Sequence, residues 1–274
     1  MPGFALTLVS THPRLGDTAG NREEMLGHVA KAKGDVVVFG EMALTGYAIR
    51  DAVRRLAEPL SGESVRAFQK AAEKHGKHVV FGFPRLDERR RGVVYDSAAF
   101  VTRGGDVHHY DKTFLSTFGP FEDGLWFAPG KEPGLVEVDE GRFGLSICYD
   151  LFFPELHRAQ ALAGADVLLN LSASPNTSRR FFEPLFPARA IENTCFMAYC
   201  NVAGPQEEMV YWGGSQVWGP RGDLKARGAY FEPHVLDCEV DLDELAFARP
   251  HRPTIRDARP DVLARVEATK RRGA

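Results

Sequence analysis

The chain has 274 residues, 44% hydrophobic and 26% charged, with a formal net charge of −3. This is ordinary composition for a folded domain. Charges of both signs, scattered and nearly balanced, argue against nucleic acid or an anionic membrane as the main partner.

Strand-like and helix-like segments alternate along most of the length. "MPGFALTLVSTHP" lacks the basic region and long apolar stretch of a signal peptide, and its "FALTLVS" (4–10) reads as a first strand. A helix is expected over 21–34, where Met25, Val29 and Ala32 recur at helical spacing and Gly34 supplies a stop. "DVVVFG" (35–40) is a continuous apolar run, the pattern of a strand buried on both faces. A helix over 61–75, ended by Gly76, precedes the strand "HVVFGF" (78–83). Two hairpins follow, turning at "RGGD" (103–106) and at "DEG" (139–141). Beyond them lie a helix over 154–163, a strand at 165–172, a helix over 179–193 and a strand at 195–202. A late hairpin turns at 219–223, and "HVLDCEV" (234–240) gives one more strand before a tail with little periodicity. No internal repeat, linker or membrane-length apolar run interrupts this order, so residues 1–274 read as one α/β domain.

Four cysteines, at 148, 195, 200 and 238, show neither CxxC spacing nor the density of a disulfide scaffold. Free thiols and a cytoplasmic setting are therefore expected. Cys195 and Cys200 suit core packing, and His108 and His109, adjacent in a strand, face opposite sides and make a poor metal site. Trp212 fits a pocket lining or a packed interface equally well.

Three chemically loaded residues sit where expected buried strands end. Glu41 closes "DVVVFGE", Lys112 follows "VHHYD", and Cys148 closes "RFGLSIC". Residues at strand ends of an α/β sheet can converge although distant in sequence. Together they supply what thiol hydrolysis of an amide requires. A carboxylate takes the thiol proton, and a cation favours the thiolate and the oxyanion that follows.

At these segments the chain resembles the nitrilase (carbon–nitrogen hydrolase) superfamily over nearly its whole length. "VVVFGEMALTGY" is similar to the segment of the family's catalytic glutamate, "YDKTFL" to its lysine segment and "GLSICYDLFFPE" to its cysteine segment. "FEDGLWFAPG" resembles the stretch bearing a second glutamate, which implies that role for Glu122. "RAIENTCFMAYCN" and "GGSQVWGPRGD" match later elements. The resemblance implies a four-layer α-β-β-α sandwich, association into a homodimer or larger assembly, a small-molecule amide substrate, and no metal or organic cofactor. Tyr47, Tyr149, Phe152, Ala173 and Asn176, in or beside these segments, are the candidates for substrate contact.

Departures from the family pattern shape the reading. Gly40 stands where proline is usual before the glutamate, which predicts a looser turn. Tyr149-Asp150 replaces the Trp-Glu usual in nitrile-hydrolysing members and favours an amidase. "LLNLSASP" (168–175) resembles the glutaminase domain of NAD synthetases, but no synthetase domain follows, so an ammonia-channelling role is not expected. Remaining alternatives are a glutaminase serving a separate partner, a nitrile hydrolase, a binding protein without turnover, and a cysteine amidase using His157 as base.

Overall fold

A computed structural model describes residues 3–259, 261, 262, 264 and 265. Among these residues two six-stranded sheets form. The first runs β14 (His234–Val240), β1 (Phe4–Ser10), β2 (Val36–Phe39), β3 (His78–Leu86), β4 (Val94–Val101), β5 (Val107–Asp111). The second runs β13 (Leu224–Arg227), β12 (Gln216–Trp218), β9 (Phe196–Asn201), β8 (Val167–Ser172), β7 (Gly141–Ile147), β6 (Leu135–Val138). β1, β2 and β3 are mutually parallel, as are β7, β8 and β9, and antiparallel strands flank each trio.

Side-chain alternation explains why the sheets stack between helices. In β2, Val36 and Val38 join Leu6, Leu8, Val80 and Phe100 in the cluster that also holds Phe143, Leu145 and Leu169 of the second sheet. Their neighbours Val37 and Phe39 pack instead with Met25 and Val29 of α1 (Thr18–Lys31). After α2 (Val53–Leu56), Val65 and Phe68 of α3 (Glu63–His75) join the same outer cluster. Both faces of the strand are thus dry, as its unbroken apolar run requires. Burying each such valine or phenylalanine stabilises the fold by about 1.5–3 kcal/mol. Phe143 crosses the seam, with ring centroids 5.6 Å from Phe4 and 5.4 Å from Phe100. Beyond α4 (Asp123–Trp126), α5 (Pro154–Leu162) and α7 (Leu185–Asn193) cover the outer face of the second sheet. The result is the α-β-β-α sandwich.

Several boundaries differ from the sequence reading for physical reasons. α1 begins at Thr18 because the Asp17 carboxylate caps it, accepting from the Gly20 N–H at 3.0 Å. The helix expected over 179–193 is two pieces, α6 (Arg179–Phe182) and α7, divided at Glu183-Pro184, where proline removes a donor. A short hairpin, β10 (Ala203–Gln206) with β11 (Met209–Trp212), and α8 (Asp243–His251) had not been expected. No helix among the described residues is long and apolar enough to cross a membrane.

Candidate active site

Glu41, Lys112 and Cys148 arrive from the ends of β2, β5 and β7 and converge. Cys148 opens a 3-10 turn directly after β7 and has φ of 45°, a left-handed conformation unusual for a residue with a Cβ. The turn carries the thiol to the head of the sheet. Asp150, two residues on, accepts from Ile147 N–H at 2.8 Å, Phe114 N–H at 2.9 Å and Tyr110 O–H at 2.8 Å. These bonds tie the strained turn to β5 and its following loop.

Lys112 is fully buried and donates to Glu41 Oε1 at 2.6 Å and Asp123 Oδ2 at 2.7 Å, with Asp96 Oδ2 3.4 Å away. Burial would strip its proton, but Asp123 and then Glu41 outweigh that effect and hold its pKa well above the lysine norm. The ammonium is permanent. Glu41 Oε2 accepts from the Ala173 N–H at 2.5 Å, so both its oxygens are oriented. Burial, then the Glu41 carboxylate, push the Cys148 thiol well above its usual range, with Lys112 pulling the other way. At neutral pH Cys148 is therefore a thiol, with the Glu41 side chain beside it.

The carboxylate that meets Lys112 from the "FEDGLW" segment is Asp123, where the resemblance had pointed to Glu122. Asp123 is buried, accepts from the Ser116 N–H at 3.0 Å and from the Tyr47 hydroxyl at 2.5 Å. Glu122 is exposed at the N-cap of α4. Neighbouring residues at a helix start point in different directions, so only one of two adjacent acids reaches the lysine. Asp96, fully buried with neither oxygen hydrogen-bonded, went unmarked in the sequence reading; "VYDSAAF" reads only as strand.

Of the substrate-contact candidates, Tyr149 and Phe152 line a cavity of about 150 Å³ beside Cys148. Tyr47 instead orients Asp123, Ala173 orients Glu41, and Asn176 is exposed in a turn outside that cavity lining. His157 is fully buried: Nδ1 donates to the Phe153 carbonyl at 3.3 Å and Nε2 accepts from the Ser146 hydroxyl at 3.2 Å. Gly40 is not a loosened turn. A Cβ there would lie 2.9 Å from Ser172 O and 2.8 Å from Val202, so glycine lets the ends of β2 and β8 touch. Cys195, Cys200 and Trp212 are buried in the core, and His108 and His109 are exposed.

A buried thiol, an acidic side chain and a buried ammonium thus meet at the strand ends of two stacked sheets, in the fold of the carbon–nitrogen hydrolases. The chain belongs to the carbon-nitrogen hydrolase family, which residues 6–250 match. It is 32% identical over 247 residues to the glutamine-dependent NAD(+) synthetase of Aquifex aeolicus, covering 87% of this chain and 42% of that protein. The chain thus spans about two fifths of that relative. An (R)-stereoselective amidase from Pseudomonas sp. is 33% identical over 258 residues, covering 93% of this chain and 91% of the amidase. Among solved structures, a glutamate-to-glutamine mutant of the amidase from Nesterenkonia sp. AN1 superposes with a TM-score of 0.80. It is 25% identical, with 96% of this chain and 97% of that one covered, and carries the acetamide moiety of fluoroacetamide on its active-site cysteine.

Proposed function

We propose that this enzyme hydrolyses a small amide through a thioester on Cys148. Glu41 accepts the thiol proton as Sγ attacks the amide carbon, and the carbonyl π electrons move onto oxygen. The Lys112 ammonium and the backbone N–H after Cys148 hold that oxyanion. Glu41 passes its proton to the departing nitrogen, the carbon–nitrogen bond breaks, and an amine or ammonia leaves. Glu41 then takes a proton from water, whose oxygen attacks the thioester. Collapse of that adduct releases the acid and returns the proton to sulfur. Asp123 and Tyr47 position Lys112.

The observation carrying this reading is the 2.6 Å pair of Lys112 with Glu41, buried beside a thiol on a strained turn. The acetamide adduct of the Nesterenkonia amidase supports a cysteine that becomes acylated. Cys148→Ala should abolish amide turnover and leave the melting temperature within a few degrees. Wild type with a slowly turned-over amide should gain the mass of the acyl group. Substantial activity in the alanine variant would overturn the mechanism.

A further inference from the structure

The cavity beside Cys148 is walled mainly by aromatic rings, with Ser116, Ser174 and Ser178 as its polar residues besides the thiol. Phe118, Phe121, Tyr149, Phe152, Phe181 and Phe182 supply most of its wall, and no charged side chain lines it among the described residues. The rings brace one another: Tyr149 lies 5.0 Å from Phe118 and 5.5 Å from Phe152, and Phe152 lies 5.1 Å from Phe182. Ser174 also lines it, but its polar groups are committed, its N–H to Asn201 Oδ1 at 2.8 Å and its hydroxyl to the Trp212 indole N–H at 3.2 Å. The neighbouring cations are not part of the lining. Arg179 pairs with Glu183 and stacks on Tyr230, and Arg180 stacks on the Phe181 ring outside the lining.

The acyl half of an amide stays on sulfur through both half-reactions, so the space adjoining Cys148 must accommodate it throughout. An apolar cavity of about 150 Å³ holds a benzene-sized group. An amino-acid amide such as glutamine would bring an ammonium and a carboxylate into this space, where no charged side chain lines the wall to pair them.

We propose that the acyl group of the substrate is neutral and apolar, an aryl or branched alkyl chain of about one ring's size, and not an amino-acid or dicarboxylic side chain. The inference rests on the amidase reading above. It is tested by kcat/KM on phenylacetamide, acetamide, glutamine and the monoamide of glutaric acid, with intact-mass detection of acyl-enzyme. Phenylacetamide should exceed acetamide by at least about tenfold and both charged amides by about a hundredfold. Phe118→Ala and Phe181→Ala, both half-exposed at the rim and so safe for folding, should narrow the phenylacetamide-to-acetamide ratio. Preference for a charged amide, with Cys148 still acylated, would overturn the apolar class and leave the amidase reading standing. Absence of both turnover and adduct with every amide would bring down the two together.

Discussion

Glu41 and Asp96 are both carboxylates buried against Lys112, yet different groups touch them. Glu41 receives the Lys112 ammonium and the Ala173 N–H, whereas neither carboxyl oxygen of Asp96 receives a hydrogen bond. Burial first, then the charge of Glu41, drive the Asp96 carboxyl well above the ordinary carboxylate range, so it stays neutral where Glu41 works. A neutral acid can be exchanged for a neutral amide of the same shape; a base cannot. Asp96→Asn should keep kcat/KM within about tenfold, while Glu41→Gln should lose about 10²- to 10⁴-fold, the range of a lost general base. Steady-state kinetics on one amide decides the matter, and equal losses would mean that Asp96 carries charge in the working enzyme. The contrast also marks what the sequence could reveal. Glu41, Lys112 and Cys148 stood out because each ends an expected strand inside a distinctive segment. Asp123 was hidden because "FED" offers adjacent acids, and only the helix start fixes which one turns inward.

Elements, not single side chains, put Glu41 in place. The chain leaves β2 and crosses directly over β3, where Gly82 N–H donates to Gly40 O at 3.2 Å and Gly82 O accepts from Leu44 N–H at 3.3 Å. A Cβ on Gly82 would lie 2.4 Å from Met42 N and 2.6 Å from Glu41 Cα, both backbone atoms that cannot swing aside. Gly82→Ala should therefore push the Glu41 turn off the strand and cost at least about tenfold in kcat, more than its effect on KM, because misplacing a base weakens the chemical step. A melting curve separates displacement from unfolding, and unchanged kcat in a folded variant would refute the account. Nothing in "VVFGFP" distinguishes this glycine from a mere weak point in a strand; the crossing that needs it exists only once β2 and β3 pair. The Tyr149-Asp150 departure likewise divides on inspection. Tyr149 faces the cavity, but Asp150 lies beneath the turn and holds it, so only the tyrosine bears on substrate preference.

At the scale of the molecule, the two sheets share one plan: an antiparallel edge strand, three parallel strands, then two antiparallel strands. No sequence repeat advertises it, because packing demands only apolar residues at alternating positions. The middle strands β2 and β8 end together, joined by the Glu41 N–H to Ser172 O bond at 3.3 Å. From that junction a buried polar chain runs outward to the helix layer, through Ser172, Asn170 and Ser146 to His157 on α5. Burial, aided by Arg189, lowers the His157 pKa from 6.5 to about 3, so the folded protein holds it neutral. An unfolded chain would protonate it below about pH 6.5, and this part of the stability is lost as pH falls from 6.5 through 3. Near pH 4.5 the loss is about 2–3 kcal/mol. Asp150, its pKa raised to about 6 chiefly by burial, works in the opposite sense: its contribution is full below 3.8 and fades as pH rises through 6. His157→Gln keeps an acceptor for Ser146 and cannot titrate. It should melt lower than wild type at pH 7 but lose fewer degrees on acidification to about pH 4.5, and it should retain amide turnover, because the proposed mechanism takes Glu41 as the base. Parallel melting curves across that interval would show that His157 does not govern the acid response, and loss of turnover in a folded variant would return it to the chemistry.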